Sequence, residues 1–188
     1  MPSSPPIDTP QSVDTLARNA WGEARGTGAT GMRRVINVHM NRVRNPRWWG
    51  HDIMSVCLAP EQFSCRNVGD PNRAKLLAVT DADPEFRIAL TLAWQAIANK
   101  LPDLTNGADS YWAVSMPHPP AWAARAARTV CDGWHQFARV ELPAPSGEPE
   151  APPVSIHNVP AKPPAESAAD RLMDSELLSF NQAPSPGA

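Results

Sequence analysis

The sequence predicts a mainly α domain of the α+β class with a small β-hairpin and a flexible proline-rich tail. Three observations carry this. Apolar residues recur at helical spacing in three stretches between Val13 and Ile97. Asp132-Gly133, a pair suited to a tight turn, separates two short strand-like runs. Ten of the chain's 22 prolines fall between Pro143 and Pro186, so composition changes after Leu142. Residues 1–11 are therefore expected to be a flexible N-terminus, 12–142 the folded domain, and 143–188 a disordered Pro/Ala-rich tail.

The first helix rests on Val13, Leu16, Ala17, Ala20, Trp21 and Ala24, with Thr9 or Ser12 as its N-cap. Gly26, Gly28 and Gly31 are read as a break. A second stripe then runs through Met32, Val35, Ile36, His39, Met40 and Val43 to Asn45-Pro46. A helical turn is expected over 52–58, a loop over 60–67 and a helix over 72–80. Asp83-Pro84 reads as an N-cap followed by proline at the first helical position. It opens a central helix through Phe86, Ala89, Leu90, Ala93, Trp94 and Ile97. The hairpin is placed at Thr129–Cys131 and Trp134–Val140. In the tail, 165–180 has room for one short helix whose Leu172, Met173, Leu177 and Leu178 would dock on the domain or on a protein partner.

Charge narrows the function. Residues 1–142 hold 15 Lys and Arg against 13 Asp and Glu, and the tail holds 2 against 6, too even a balance for nucleic-acid binding. The opening MPSSPPIDTP has neither a basic run nor an apolar one, and no segment reaches the ~18 apolar residues of a membrane span. The chain is thus expected to be made in the bacterial cytoplasm without a signal peptide. His39 reads as a core histidine. With His51, His118 and His135 scattered, no metal-ligand spacing appears, and neither metal nor cofactor is expected. Cys57, Cys65 and Cys131 read as buried thiols, with a Cys57–Cys65 bridge as the alternative. Arg33, Arg34, Arg42, Arg44 and Arg47 read as a solvated helix face able to meet anionic polymers.

The chemistry centres on WGEARG, residues 21–26. Glu23 lies at the margin of the first apolar stripe, half in the core and half at its lip, beside Trp21. There a carboxylate is poorly solvated, its pKa rises, and it can serve as an acid to a leaving glycosidic oxygen. Arg25, two residues on, points to another face and has little effect. An exposed glutamate capping a helix end is the plainer alternative, and local chemistry leaves both open.

The runs LARNAWGEARG, GMRRVINVHMNRVR and APEQFSCRN resemble the SleB-type cell-wall hydrolases, a group of spore-cortex-lytic enzymes and phage or prophage lysins. The shared motifs are E-A-R-G at Glu23–Gly26, N-R-V at Asn41–Val43 and Q-F-S at Gln62–Ser64. Further matches are the helix over 86–98, the stretch 107–111, Pro120-Ala121-Trp122, and G-x-H-x-F at Gly133, His135 and Phe137. Where that family has Tyr-His, this chain has Tyr111-Trp112.

The resemblance implies a lysozyme-like helical domain acting on peptidoglycan glycan strands, with Glu23 as catalytic acid. It implies lytic transglycosylation at the MurNAc-GlcNAc bond, giving 1,6-anhydro ends. Gln62 and Ser64 would contact the sugar N-acetyl group or orient Glu23, and Tyr111, Trp112 and Trp122 would stack on sugar rings. A muramidase-type hydrolase would need a second acid, for which Asp109 and Glu61 are nearest the motifs. A phage or prophage lysin reaching the wall through a holin is the expected setting. A non-catalytic wall-binding or virion assembly protein keeping the fold is the alternative from another class.

Overall fold

The computed structural model describes residues 10–140. The expectations for residues 1–9, for the tail and for its 165–180 helix lie outside the described residues. Five helices and a three-stranded sheet follow in the order α1 (Pro10–Ala24), α2 (Gly28–Arg44), α3 (Ile53–Leu58), α4 (Arg73–Ala78), α5 (Pro84–Ile97), β1 (Ser110–Ala113), β2 (Ala126–Cys131) and β3 (His135–Val140). The class is α+β, as the sequence predicts.

The main core is the meeting of α1, α2 and α5. Leu16, Ala17 and Ala20 of α1, Met32, Val35 and Ile36 of α2, and Ala89, Leu92 and Ala93 of α5 are fully buried there. The many alanines let the helix axes approach closely, and burial of the larger side chains supplies most of the stability, about 1.5–3 kcal/mol each. Trp94 departs from expectation. It is 50% exposed, because Leu92 and Ala96 carry the inward face that Leu90 and Trp94 were expected to carry.

Helix ends follow local chemistry. Asp83 caps α5 by accepting from Phe86 N at 2.8 Å, with Pro84 in the first turn as predicted. Asp52 and Ser55 form a reciprocal capping box on α3. Helix α1 already begins at Pro10, so Ser12 lies inside it and is not the cap. Gly31 is likewise no break but a residue of α2, where a Cβ would stand 1.8 Å from Thr27 Oγ1. The chain turns instead through Arg25–Thr27, and Gly28 takes the left-handed φ of 70° that starts α2.

The hairpin is present, with Asp132 accepting from the backbone N–H of Trp134 and His135 and Gly133 at φ 87°. It belongs to a larger sheet ordered β1-β3-β2, antiparallel throughout, with Tyr111 opposite Phe137 and Ala113 opposite His135. Strand β1 was not foreseen. Its four residues are all buried and show no polar alternation, so a period-2 signal is lacking. Tyr111, Ala113 and Phe137 face the helical core, whereas Trp112, Ala138 and Val140 join Trp122 and Ala123 in a second apolar cluster on the other face.

Two buried polar stripes attach the loops that carry the site. On α1, Thr15, Asn19 and Glu23 stand one turn apart and face the segment 62–66. Arg66 donates to Asn19 Oδ1 and to Thr15 O, and Asn19 donates to Cys57 O at 3.0 Å and to His39 Nε2 at 3.1 Å. His39 Nε2 therefore accepts and its Nδ1–H donates to Val35 O at 2.8 Å. Stacked on Phe63 at 4.0 Å, this is a core histidine, held neutral by burial that lowers its pKa to about 3.

On α2, Arg33, Asn37 and Asn41 repeat the arrangement toward 102–108. Arg33 donates to Pro102 O, Asn37 accepts from Leu104 N, and Asn41 donates to Ala108 O. Asp103 ties the same loop from within by accepting from Thr105 and Gly107 N–H groups. Arg33 and Arg42 are thus 4% and 1% exposed, so the expectation of a solvated arginine face fails for these two, whereas Arg44 and Arg47 are exposed and Arg34 is half-buried. The period of the buried pair coincides with a docking surface, and in this fold backbone carbonyls take the place of water.

Candidate active site

Glu23 occupies the last turn of α1 at the junction of the helical core and the sheet, and is 7% exposed. Its burial is deeper than the half-sheltered position expected. Trp21 is not the cause: two residues away on the helix, it points toward α5, packs edge-on to Phe86 at 6.5 Å and donates Nε1–H to Asp83. The cover comes from the Gln62–Cys65 segment and from the sheet.

The close approach of that segment depends on Gly22. A Cβ there would lie 2.8 Å from both Cβ and Sγ of Cys65 and 2.6 Å from Leu76 Cδ1. With hydrogen in its place, the Ser64–Arg66 turn settles on the helix. Cys65 N–H then donates to Glu23 Oε1 at 3.0 Å, and Ser64 Oγ–H donates to the same oxygen at 3.4 Å. The Cys65 thiol adds a further hydrogen bond to the carboxyl.

Burial raises the Glu23 pKa above its ordinary 4.5. The Cys65 backbone hydrogen bond, the Cys65 thiol and His135 oppose that rise, while Asp70 adds to it. Arg25 turns away, as expected: it lies over the Trp21 ring at 4.3 Å and donates to Asn72 Oδ1.

Of the residues singled out from the sequence, Ser64 and Tyr111 stand beside Glu23, and Gln62, buried in the same covering segment, accepts from Arg42. Tyr111 is 3% exposed, its hydroxyl finds no hydrogen-bond partner among the described residues, and its pKa is raised well above 10, first through burial and then through the nearby Glu23 carboxylate. Trp112 and Trp122 are not brought there. They pack edge-on against each other at 5.4 Å in the second apolar cluster, on the opposite face of the sheet, 4% and 6% exposed. Adjacent strand residues point to opposite faces, so Tyr111 and Trp112 cannot both face Glu23.

Neither acid considered as a second carboxylate is placed for it. Asp109 Oδ1 accepts from Val140 N at 3.0 Å within the sheet, and Glu61 is exposed in a left-handed turn at φ 59°. The acid that acts on Glu23 is Asp70, in the loop before α4.

Sequence reasoning also passed over His135 and Cys65. His135 is fully buried and edge-on to Tyr111 at 5.4 Å; its Nδ1 lies 3.8 Å from Asp132 Oδ2, and neither ring nitrogen makes a hydrogen bond among the described residues. Its place in the G-x-H-x-F pattern was the available signal. Cys65 gave no signal, because it acts through its backbone N–H. All three cysteines are free thiols. Cys57 and Cys65 are buried as expected, but Cys131 is exposed at the end of β2. Among the described residues no group of three or more His, Cys, Asp or Glu is placed to hold a metal ion, and no helix is long and apolar enough to cross a membrane.

A helical α+β domain built around one sheltered carboxyl group matches, over residues 26–138, the family described as Cell Wall Hydrolase. The chain belongs to the cell wall hydrolase family. The matched span begins at Gly26 and leaves Glu23 just outside it. Among solved structures, the catalytic domain of the Bacillus cereus SleB protein superposes with a TM-score of 0.59 at 19% identity, covering 74% of this chain and 98% of that one. The catalytic domain of the germination-specific lytic transglycosylase SleB from Bacillus anthracis superposes with a TM-score of 0.57 at 19% identity, covering 72% and 100%. At that identity the likeness is one of fold. No curated protein matches the chain.

Proposed function

We propose that this domain cleaves the glycan strand of peptidoglycan at the MurNAc-GlcNAc bond by lytic transglycosylation, with Glu23 as general acid and then general base. The observation that carries the reading is the state of Glu23: buried, pKa raised, and Oε1 held by Cys65 N–H. A carboxyl in that state keeps its proton until a glycosidic oxygen arrives.

The protonated Glu23 gives its proton to the oxygen leaving C1 of MurNAc. The resulting carboxylate takes the proton from the same sugar's 6-hydroxyl as O6 bonds to C1, and no water is consumed. Because the nucleophile is intramolecular, its high effective molarity removes the need for a second carboxylate. Ser64 and Tyr111 beside Glu23, and Gln62 in the segment that covers it, are the polar groups that would position the sugar. Trp112 and Trp122 are assigned to packing. Family membership and the fold shared with a lytic transglycosylase support the same reading.

Asp70 favours a second reading. A carboxylate that raises the Glu23 pKa could instead serve as a base toward water, giving hydrolysis with reducing ends. Digestion of purified peptidoglycan separates the two. Anhydro-muropeptides that disappear in Glu23→Gln support transglycosylation, and reducing-end products that disappear in Asp70→Asn support hydrolysis. Binding without fragments in the wild type would defeat both.

The domain limits 12–142 and the phage or prophage setting belong to this proposal. Limited proteolysis tests the first, and host lysis on co-expression with a holin tests the second.

A further inference from the structure

Arg42 is a buried cation with no carboxylate within ion-pair distance among the described residues, and it is 1% exposed. Burial lowers its pKa to about 10, so it stays charged at neutral pH. A sealed, unpaired guanidinium is costly, and apolar replacements of such groups are often neutral or stabilising. Its position suggests what the cost supports.

The Arg42 guanidinium lies over the rings of Trp49 at 5.2 Å and Phe63 at 5.3 Å, which fixes its plane. Nε–H donates to Asp109 O at 2.6 Å, at the entrance to β1. Nη1–H donates to Gln62 Oε1 at 3.4 Å. A guanidinium has donors only, so the oxygen end of the Gln62 amide must face Arg42 and the NH2 end must face away. Gln62 is 4% exposed, and its NH2 is not among the sealed polar atoms that lack a partner, so this donor keeps access from outside. It sits three residues along the chain from the Cys65 N–H that holds Glu23.

We infer that Arg42 is a positioning residue that locks the Gln62 amide with its donor end toward the ligand, so that the site selects a sugar carrying an N-acetyl group over one with a free amine. The acetamido carbonyl accepts from the Gln62 NH2. A free sugar amine, protonated at neutral pH, brings only donors, and two donors facing each other in a buried site are both left unsatisfied. The inference rests on the glycan-cleavage reading above and adds to it a chemical selection and the residue that enforces it.

The test compares kcat/KM on fully N-acetylated peptidoglycan and on the same material after N-deacetylation. Wild type should favour the acetylated glycan by about 10-fold or more, the scale set by an unsatisfied buried donor. In Arg42→Met the amide is free to turn, and the preference should fall toward equality, mainly through KM. Arg42→Lys, again a donor-only cation, should restore part of it. A merely structural loss would lower both rates alike and leave their ratio unchanged, and thermal melting monitors that loss.

Should Arg42→Met fail to fold, Gln62→Glu carries the test. It keeps an acceptor for Arg42 but removes the outward donor, and must abolish or reverse the preference. Equal wild-type rates on the two glycans, or an unchanged ratio in folded Arg42→Met and in Gln62→Glu, overturn the inference while leaving the glycan-cleavage reading intact. A wild type inactive on both glycans overturns that reading and this inference with it.

Discussion

The backbone N–H of Cys65 meets Glu23 Oε1 at 3.0 Å only because residue 22 of the same helix has no side chain. Gly22→Ala should cost about 1–3 kcal/mol of stability by overpacking against Cys65 and Leu76, and should lower turnover as well. Gly26→Ala, whose Cβ would meet nothing within 4 Å, is the control and should leave the melting temperature within about 1 °C. A fully active, fully stable Gly22→Ala would show that the segment does not need this approach.

Glu23 links stability to pH with a definite sign. Its pKa is raised above the ordinary 4.5, so above pH 4.5 the folded protein keeps a proton that the unfolded chain releases. Stability therefore falls as pH rises through the window between 4.5 and the raised value. Glu23→Gln removes that loss. Its melting temperature relative to wild type should improve as pH rises above about 4.5, while lytic turnover drops by about 10²–10⁴-fold. A melting difference independent of pH would contradict the buried-acid assignment.

Tyr111 pairs a functional expectation with the opposite structural one. Its buried hydroxyl has no hydrogen-bond partner among the described residues, so Tyr111→Phe removes an unsatisfied polar group and should melt at the same temperature as wild type or higher. Muropeptide release should nevertheless fall, about 10-fold, if the hydroxyl contacts sugar. Unchanged release would remove Tyr111 from the site.

Thiol titration reads the packing directly. In the native protein only Cys131 should react with a thiol reagent, because Cys57 is buried with its pKa pushed up to about 12 and Cys65 is buried with its pKa raised. All three should react after unfolding. Rapid native modification of Cys65, with loss of activity, would show that the segment over Glu23 opens.

Much of this architecture is readable from residue order. The stripes of α1, α2 and α5 are periodic enough to be seen, Asp83-Pro84 marks the start of a helix, and Asp132-Gly133 marks a turn. Strand β1 could not be read, because a strand covered on both faces loses its alternation. The arginines misled for a related reason. Arg33 and Arg42 look solvated until a loop more than sixty residues away offers carbonyls to them. At the site, Glu23, Gln62 and Ser64 stood out through motif resemblance, whereas Asp70 acts through its charge, Cys65 through its backbone N–H and His135 through burial, none of which spacing encodes. Trp112 packs with Trp122 away from Glu23, because neighbouring strand residues face opposite ways.

The sheet order has a consequence for when the site can exist. β3 is the middle strand, and β1 and β2 pair with it rather than with each other. Until residues 135–140 emerge from the ribosome, the strand bearing Tyr111 has no neighbour to register against. The Glu23 helix, made more than a hundred residues earlier, then lacks one wall of its pocket. On this account the pocket around Glu23 is complete only once the middle strand has been made.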